Sequence, residues 1–287
     1  TSVTAMVPTA PPDHWTFPTT RFRTQRPVVD TLVSVESQVD RPYHAHWPLV
    51  FMLVLTQTSV GMWLVLAMHT MFTQSWIGIE VSQAVVASVV GVLGVHLALL
   101  HLGRPLFAYR AFLGWRTSWL SREAILFAVF MTMCGATLCS VYAADSKTEL
   151  ISWMVCATAI IGILAAASSA MIYIATKRTL WKMPRTMLDF IGTAFGLGLA
   201  ASCLVQSLAM PPSRFAPAIA CILCFLSATP KLADWWRGRT SGPVTANEFS
   251  RRSGALMRRE MKSQWALAWT MFSMAMAVAI VSAVVPH

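Results

Sequence analysis

His101 and Glu123 bracket the run HLGRPLFAYRAFLGWRTSWLSRE, and each sits at the end of a membrane-length apolar segment. Ionisable groups are expensive to hold at that depth, so a pair of them there suits coupled proton and electron chemistry. The histidine closes one segment and the glutamate opens the next, and a short basic connection brings both to one face of the bilayer. An imidazole in that place can hydrogen-bond a quinone carbonyl while the carboxylic acid exchanges protons with the adjoining water. Sites for such ligands are mostly apolar with a few converging polar groups, as this corner would be. Arg104 and Arg122 flank the pair and join the candidate set. Ser121 reads as the N-cap of the second segment, which would place Glu123 in the favourable field of a helix start. The same residues also read as a salt-bridged helix end with an interfacial histidine. His46, Trp47 and Pro48 open the preceding apolar segment on the same face, either as an interfacial anchor or as another wall of the pocket.

Other redox chemistry finds less support. The six cysteines, Cys134, Cys139, Cys156, Cys203, Cys221 and Cys224, all fall inside apolar segments. None forms the closely spaced run that holds an iron–sulfur cluster, so the expectation is no cluster and buried thiols acting as small apolar residues. A haem would need two histidines at one depth on facing helices. His96 lies about 7.5 Å inside the second segment at helical rise, while His69 is at the opposite depth of the first. The later segments contain no histidine, and no haem or other metal site is expected.

The elements that must position these residues follow from composition. Of 287 residues, 56% are hydrophobic and 12% charged, too few charges to cover a water-soluble surface, so the chain is an integral membrane protein. Seven apolar spans are read, at 47–72, 79–101, 121–143, 150–175, 186–209, 214–229 and 264–286. Most are long enough to cross as a helix of roughly 20 residues; the sixth is short and flanked by Pro217 and Pro230. The fold class is therefore an all-α polytopic transmembrane bundle.

Net charge of +10 could suggest nucleic acid, but placement argues otherwise. The N-terminal arm and the connections after spans two and four carry four Lys or Arg each, and the connection after span six carries eight. Only Lys147 and Arg214 fall on the other side. The positive-inside rule then puts the N-terminus and these connections in the cytoplasm, with anionic lipid or a docked partner as a secondary use of the charge. Trp47, Trp115, Trp119, Trp181, Trp235, Trp236 and Trp265 form a cytoplasmic aromatic belt, with Trp76 and Trp153 at the outer one. Small residues from Ala165 to Ala170, and Gly192, Gly196 and Gly198, suit close helix packing.

Residues 1–45 are polar and proline-bearing, with no cleavable signal; they read as an extended docking arm ahead of an anchor domain at 46–287. The first residue is not methionine, which reads as processing or as the tail of a longer polypeptide. Mid-membrane charges and broken-helix pairs are missing, against a proton pump or secondary transporter. The last span has no lysine for a retinal Schiff base.

Four stretches carry a resemblance: HAHWPL from His44, HLGRP from His101, WRTSWLSRE from Trp115 and MIYIATKR from Met171. They resemble the DmsC family, the membrane anchor subunits of dimethyl-sulfoxide-reductase-type molybdoenzymes. WRTSWLSRE and TANEF (from Thr245) are closest to the branch associated with sulfite-oxidising complexes facing the cytoplasm. The resemblance implies a molybdopterin catalytic subunit and a four-cluster ferredoxin-like iron–sulfur subunit as partners. It implies electron exchange with quinone, ubiquinone or menaquinone, at the bacterial inner membrane, with no redox cofactor in the anchor. It also carries the family's quinone-associated histidine and glutamate onto His101 and Glu123. Sulfite oxidation is the expected direction; a quinol-oxidising reductase anchor and a purely structural anchor are the alternatives. Eight spans are common in the family against seven read here. The arm's PTTRFRTQRP is similar to the tail of the iron–sulfur partner.

Overall fold

In lipid every backbone N–H and C=O must be satisfied internally, so long apolar runs become helices. The computed structural model describes residues 46–73, 78–100, 102, 105–143, 148–176 and 181–209. Among them it is all-helical: α1 (Trp47–Thr73), α2 (Gly78–Leu100), a 3-10 helix (Pro105–Gly114), α3 (Trp119–Ala143), α4 (Thr148–Ala175) and α5 (Met183–Ala209). All five α-helices are long and apolar enough to cross a membrane. Their bounds fall within three residues of the first five spans read from the sequence. Spans six and seven, the N-terminal arm and the TANEF segment lie outside the described residues.

Side-chain contacts fix the helix directions. Ser59 Oγ on α1 donates to the Ala87 carbonyl on α2 at 2.7 Å, and Gln83 Nε2 reaches back to Met62 O at 3.2 Å, so these helices run antiparallel. Thr137 and Thr158 hydroxyls pair at 3.0 Å between antiparallel α3 and α4. α1 and α5 run parallel and cross backbone on backbone: a Cβ on Gly61 would land on the Ala194 carbonyl, and one on Gly198 on the Gly61 backbone. Glycine is needed there because nothing larger allows the approach. α1 is thus the central helix, packed against α2, α4 and α5. The starts of α1, α3 and α5 and the ends of α2 and α4 share one end of the bundle, which also holds Trp47, Trp115, Trp119 and Trp181.

Trp63, Met62, Leu66, Phe130 and Val155 fill the core, with Ala84, Ala87, Ala159 and Ala165 closing the gaps. Apolar residues such as Phe51, Val89, Val92, Leu93, Ile160 and Leu164 point outward instead, as a lipid-facing surface requires. The buried-thiol expectation holds for Cys134; Cys139 is exposed, and Cys156 and Cys203 are half-buried. Cys221 and Cys224 lie outside the described residues.

Helix α3 starts earlier than expected. Its cap is Ser118, whose Oγ accepts from the Ser121 amide at 3.4 Å, and whose carbonyl takes the first helical bond from Arg122 N at 3.3 Å. The Ser121 assignment is therefore corrected: Ser121 is buried inside the first turn, and Glu123 moves into the second, where the end field has weakened.

Candidate functional site

Glu123 is 7% exposed, at the Trp-lined end of the bundle. A carboxyl group buried in an apolar setting needs a partner, and it finds one across the helix interface. Ser169 Oγ, on α4 and itself buried, donates to Glu123 Oε1. The Ser169 hydroxyl also lies 3.3 Å from the Ala165 carbonyl of its own helix. One turn further along α4, Tyr173 is within electrostatic range of Glu123. Its ring meets Trp181 edge-on at 5.0 Å and Phe190 of α5 at 5.5 Å. The arrangement is one carboxyl group and one phenol beside an aromatic cluster, within a wall of apolar helices.

Arg122 turns the other way. Its Nε donates to the Trp115 carbonyl and its Nη2 to the Arg116 carbonyl, both at 2.9 Å, and its guanidinium lies 4.3 Å from the Trp119 ring centre. These contacts tie the connection between the 3-10 helix and α3 to the first turn of α3. Gly114 belongs to the same closure, since its carbonyl accepts from the Thr117 and Ser118 amides and a Cβ there would sit 2.6 Å from Ser121 Oγ. The 3-10 helix has three residues per turn, so Ala108, Ala111 and Gly114 form one ridge. That ridge is half-buried, while Leu106, Tyr109, Phe112 and Trp115 face outward.

His101 and Arg104 lie outside the described residues, just past the end of α2. His46 precedes α1 and its carbonyl accepts from the Leu49 and Val50 amides at 2.9 and 3.2 Å, the role of a helix cap. Trp47 is 63% exposed and packs on Phe51 of its own helix. Of the predicted set, the structure thus turns Glu123 into the bundle, commits Arg122 to the loop, and gives His46 and Trp47 local contacts.

Ser169 and Tyr173 escaped the sequence reading, because their neighbourhood looks like small-residue packing. The available signal was a hydroxyl and a phenol four residues apart, on one helix face near the depth of Glu123. A second missed feature sits at the opposite end, where the buried Glu80 lies 3.5 Å from His69 Nδ1. Gln83 beside it bonds Ser202 at 2.8 Å and Gln206 at 3.4 Å. His69, read from the sequence as interfacial, is thus paired with a buried glutamate. His96 bonds the Val92 carbonyl of its own helix at 2.8 Å, rather than a neighbouring one. No group of three or more metal-ligating side chains occurs among the described residues.

With this geometry in place, comparison with known proteins is decisive on family. The family described as DMSO reductase anchor subunit (DmsC) matches residues 42–238. This chain belongs to the DmsC family. The matched region takes in all five described helices and the Glu123 corner. The chain is 28% identical over 178 residues to the C subunit of the sulfite dehydrogenase of Allochromatium vinosum, with 55% of each protein covered. It is also 28% identical over 165 residues to the C component of the anaerobic dimethyl sulfoxide reductase of Haemophilus influenzae, covering 56% of this chain and 59% of the relative. The chain therefore spans just over half the length of the curated relatives it matches. No solved structure matches.

Proposed function

We propose that this DmsC-family anchor passes electrons between an iron–sulfur partner and membrane quinone, with the headgroup handled at the corner of His101 and Glu123. The observation that carries the reading is Glu123 itself. A carboxyl group held inside an apolar bundle, one turn below the aromatic end, is costly unless it works, and proton exchange with a quinone oxygen is work it can do. Tyr173, Trp181 and Phe190 supply aromatic surface of the kind a planar ring packs against. Membership of the family supports partners of the kind the resemblance implies, a molybdopterin catalytic subunit and a four-cluster ferredoxin-like subunit, which the positive-inside reading would dock on the cytoplasmic face of a bacterial inner membrane.

Oxidation of a substrate in the partner, with sulfite going to sulfate, delivers two electrons to quinone, which also takes up two protons. Glu123 gives one proton to a quinone oxygen and is recharged from the cytoplasm, and the other oxygen takes the second proton from the same side through water. His101, placed by sequence next to the end of α2, donates a hydrogen bond to the other oxygen. The two relatives are equally similar, so neither sets the direction. The oxidative direction rests on the positive-inside reading, which puts the HLGRP loop in the cytoplasm with the catalytic partners.

The test is the complex extracted in mild detergent, assayed with sulfite and a short-chain ubiquinone analogue. Glu123→Gln and His101→Ala should each lower quinone-linked turnover by about 100-fold, the lower range for loss of a proton-transfer group. Sulfite oxidation with a soluble artificial acceptor should stay within about twofold, well short of such a loss. Full quinone-linked turnover in both variants of an intact complex would leave a structural anchor. Turnover only from quinol towards a reducible substrate would reverse the direction.

A further inference from the structure

We propose that Ser169 is a positioning residue that serves both protonation states of Glu123, so that the buried carboxyl group can load and unload a proton without ever losing its partner. The inference rests on the quinone reading above and names the residue that makes Glu123 workable. A buried group that changes charge faces a problem that a static one does not. The ionised carboxylate needs a donor, while the protonated acid needs an acceptor for its own O–H. A lysine or an amide N–H would satisfy the first state and strand the second. A hydroxyl can satisfy both, because it is one donor and also an acceptor.

The geometry around Ser169 supplies the second half of that exchange. Its Oγ donates to Glu123 Oε1, and 3.3 Å away lies the Ala165 carbonyl as an alternative acceptor. When Glu123 takes up a proton, its new O–H points at Ser169 Oγ and the serine proton turns to Ala165. When Glu123 gives the proton up, the serine proton turns back. Ser169 gains and loses nothing overall; one O–H bond changes its aim. The Ala165 carbonyl already receives the Ser168 hydroxyl at 2.6 Å, which makes it the poorer partner and keeps the Ser169 proton on Glu123 while the carboxylate is charged.

Nothing else described competes for the role. Glu123 belongs to neither the His69–Glu80 nor the Arg185–Asp189 pair. Its neighbour Arg122 is directed at the Trp115 and Arg116 carbonyls. On α4, Tyr173 is a titratable side chain one turn beyond Ser169 on the same face. Ser169 is 2% exposed, so water does not readily replace its hydroxyl.

Infrared difference spectra of the purified complex between acidic and alkaline pH read Glu123 directly, its bands being those lost in Glu123→Gln. In Ser169→Ala those bands should shift, and quinone-linked kcat should fall about tenfold with KM nearly unchanged, the size of one hydrogen bond to a charged group. Ser169→Thr, which keeps the hydroxyl, should restore both. Should the alanine variant fail to assemble, Ser169→Cys, close in shape but a weak donor, must shift the bands in its place. Unshifted Glu123 bands in the variant that lacks the hydroxyl would overturn the proposal. Wild-type turnover in Glu123→Gln would instead overturn the quinone reading, and leave the hold of Ser169 on Glu123 standing.

Discussion

Two adjacent residues of α3, Arg122 and Glu123, have opposite fates, and the helix start explains why. With Ser118 as the cap, position 122 faces the connection and position 123 faces α4. Sequence showed that both are ionisable and near a membrane boundary; it did not show which one points inward, because WRTSWLS offers two serines as caps. A shift of three residues in the cap rotates the first turn and reassigns its neighbours. Arg122 holds the connection with a planar fork on two carbonyls and a stack on Trp119, geometry that lysine cannot reproduce. Arg122→Lys should therefore loosen residues 105–118 while leaving α3 in place. Hydrogen exchange should speed up in that segment by about tenfold, the equivalent of one charge-assisted bond. Unchanged exchange there would mean that the fork does not hold the loop.

At the scale of elements, the apolar runs were legible because a helix in lipid has no alternative backbone solution. Five of them appear with bounds close to expectation. How the helices meet was less legible. Gly192, Gly196 and Gly198 were read as packing residues, and Gly198 does sit on a neighbour; its counterpart Gly61 is isolated in a bulky run and gave no signal. The contact is specific to those two glycines. Gly61→Val or Gly198→Val should prevent α1 and α5 from closing, since the added atoms would meet backbone that cannot move aside. Folded protein recovered after detergent extraction should fall severely in both. Gly135→Ala is the control, because a Cβ there meets nothing within 4 Å, and it should hold or raise thermal stability by up to about 1 kcal/mol. Equal yields from the valine and alanine variants would show that α1 and α5 do not cross as described. The contact of Gln83 with Ser202 and Gln206 was equally hidden, since it joins residues far apart in the chain that meet only when α2 and α5 pack.

For the described helices as a whole, one end of the bundle gathers Trp47, Trp115, Trp119, Trp181, the arginine-bearing connection and Glu123, while the other holds the His69 and Glu80 pair. That polarity makes orientation a functional question, because the proposed iron–sulfur partner would have to dock at the end where Glu123 sits for electrons to reach a quinone there. The charge count gives a definite expectation. Arg110 and Lys147 fall in connections that follow α2 and α3, and the seven-span reading would put 20 of the 22 basic residues on the side of Arg110. The connections are short, the regime in which Lys and Arg placement sets topology. Cysteine at position 110 should react with a membrane-impermeant maleimide in inverted vesicles and stay silent in intact cells opened only at the outer membrane. Cysteine at position 147 should give the reverse, with the unsubstituted chain as the baseline for native thiols such as the exposed Cys139. Labelling of position 110 from outside would put the catalytic partners beyond the membrane. It would transfer the proton exchange proposed for Glu123 to that side, and with it the case for a cytoplasmic oxidation would give way to an exported reductase.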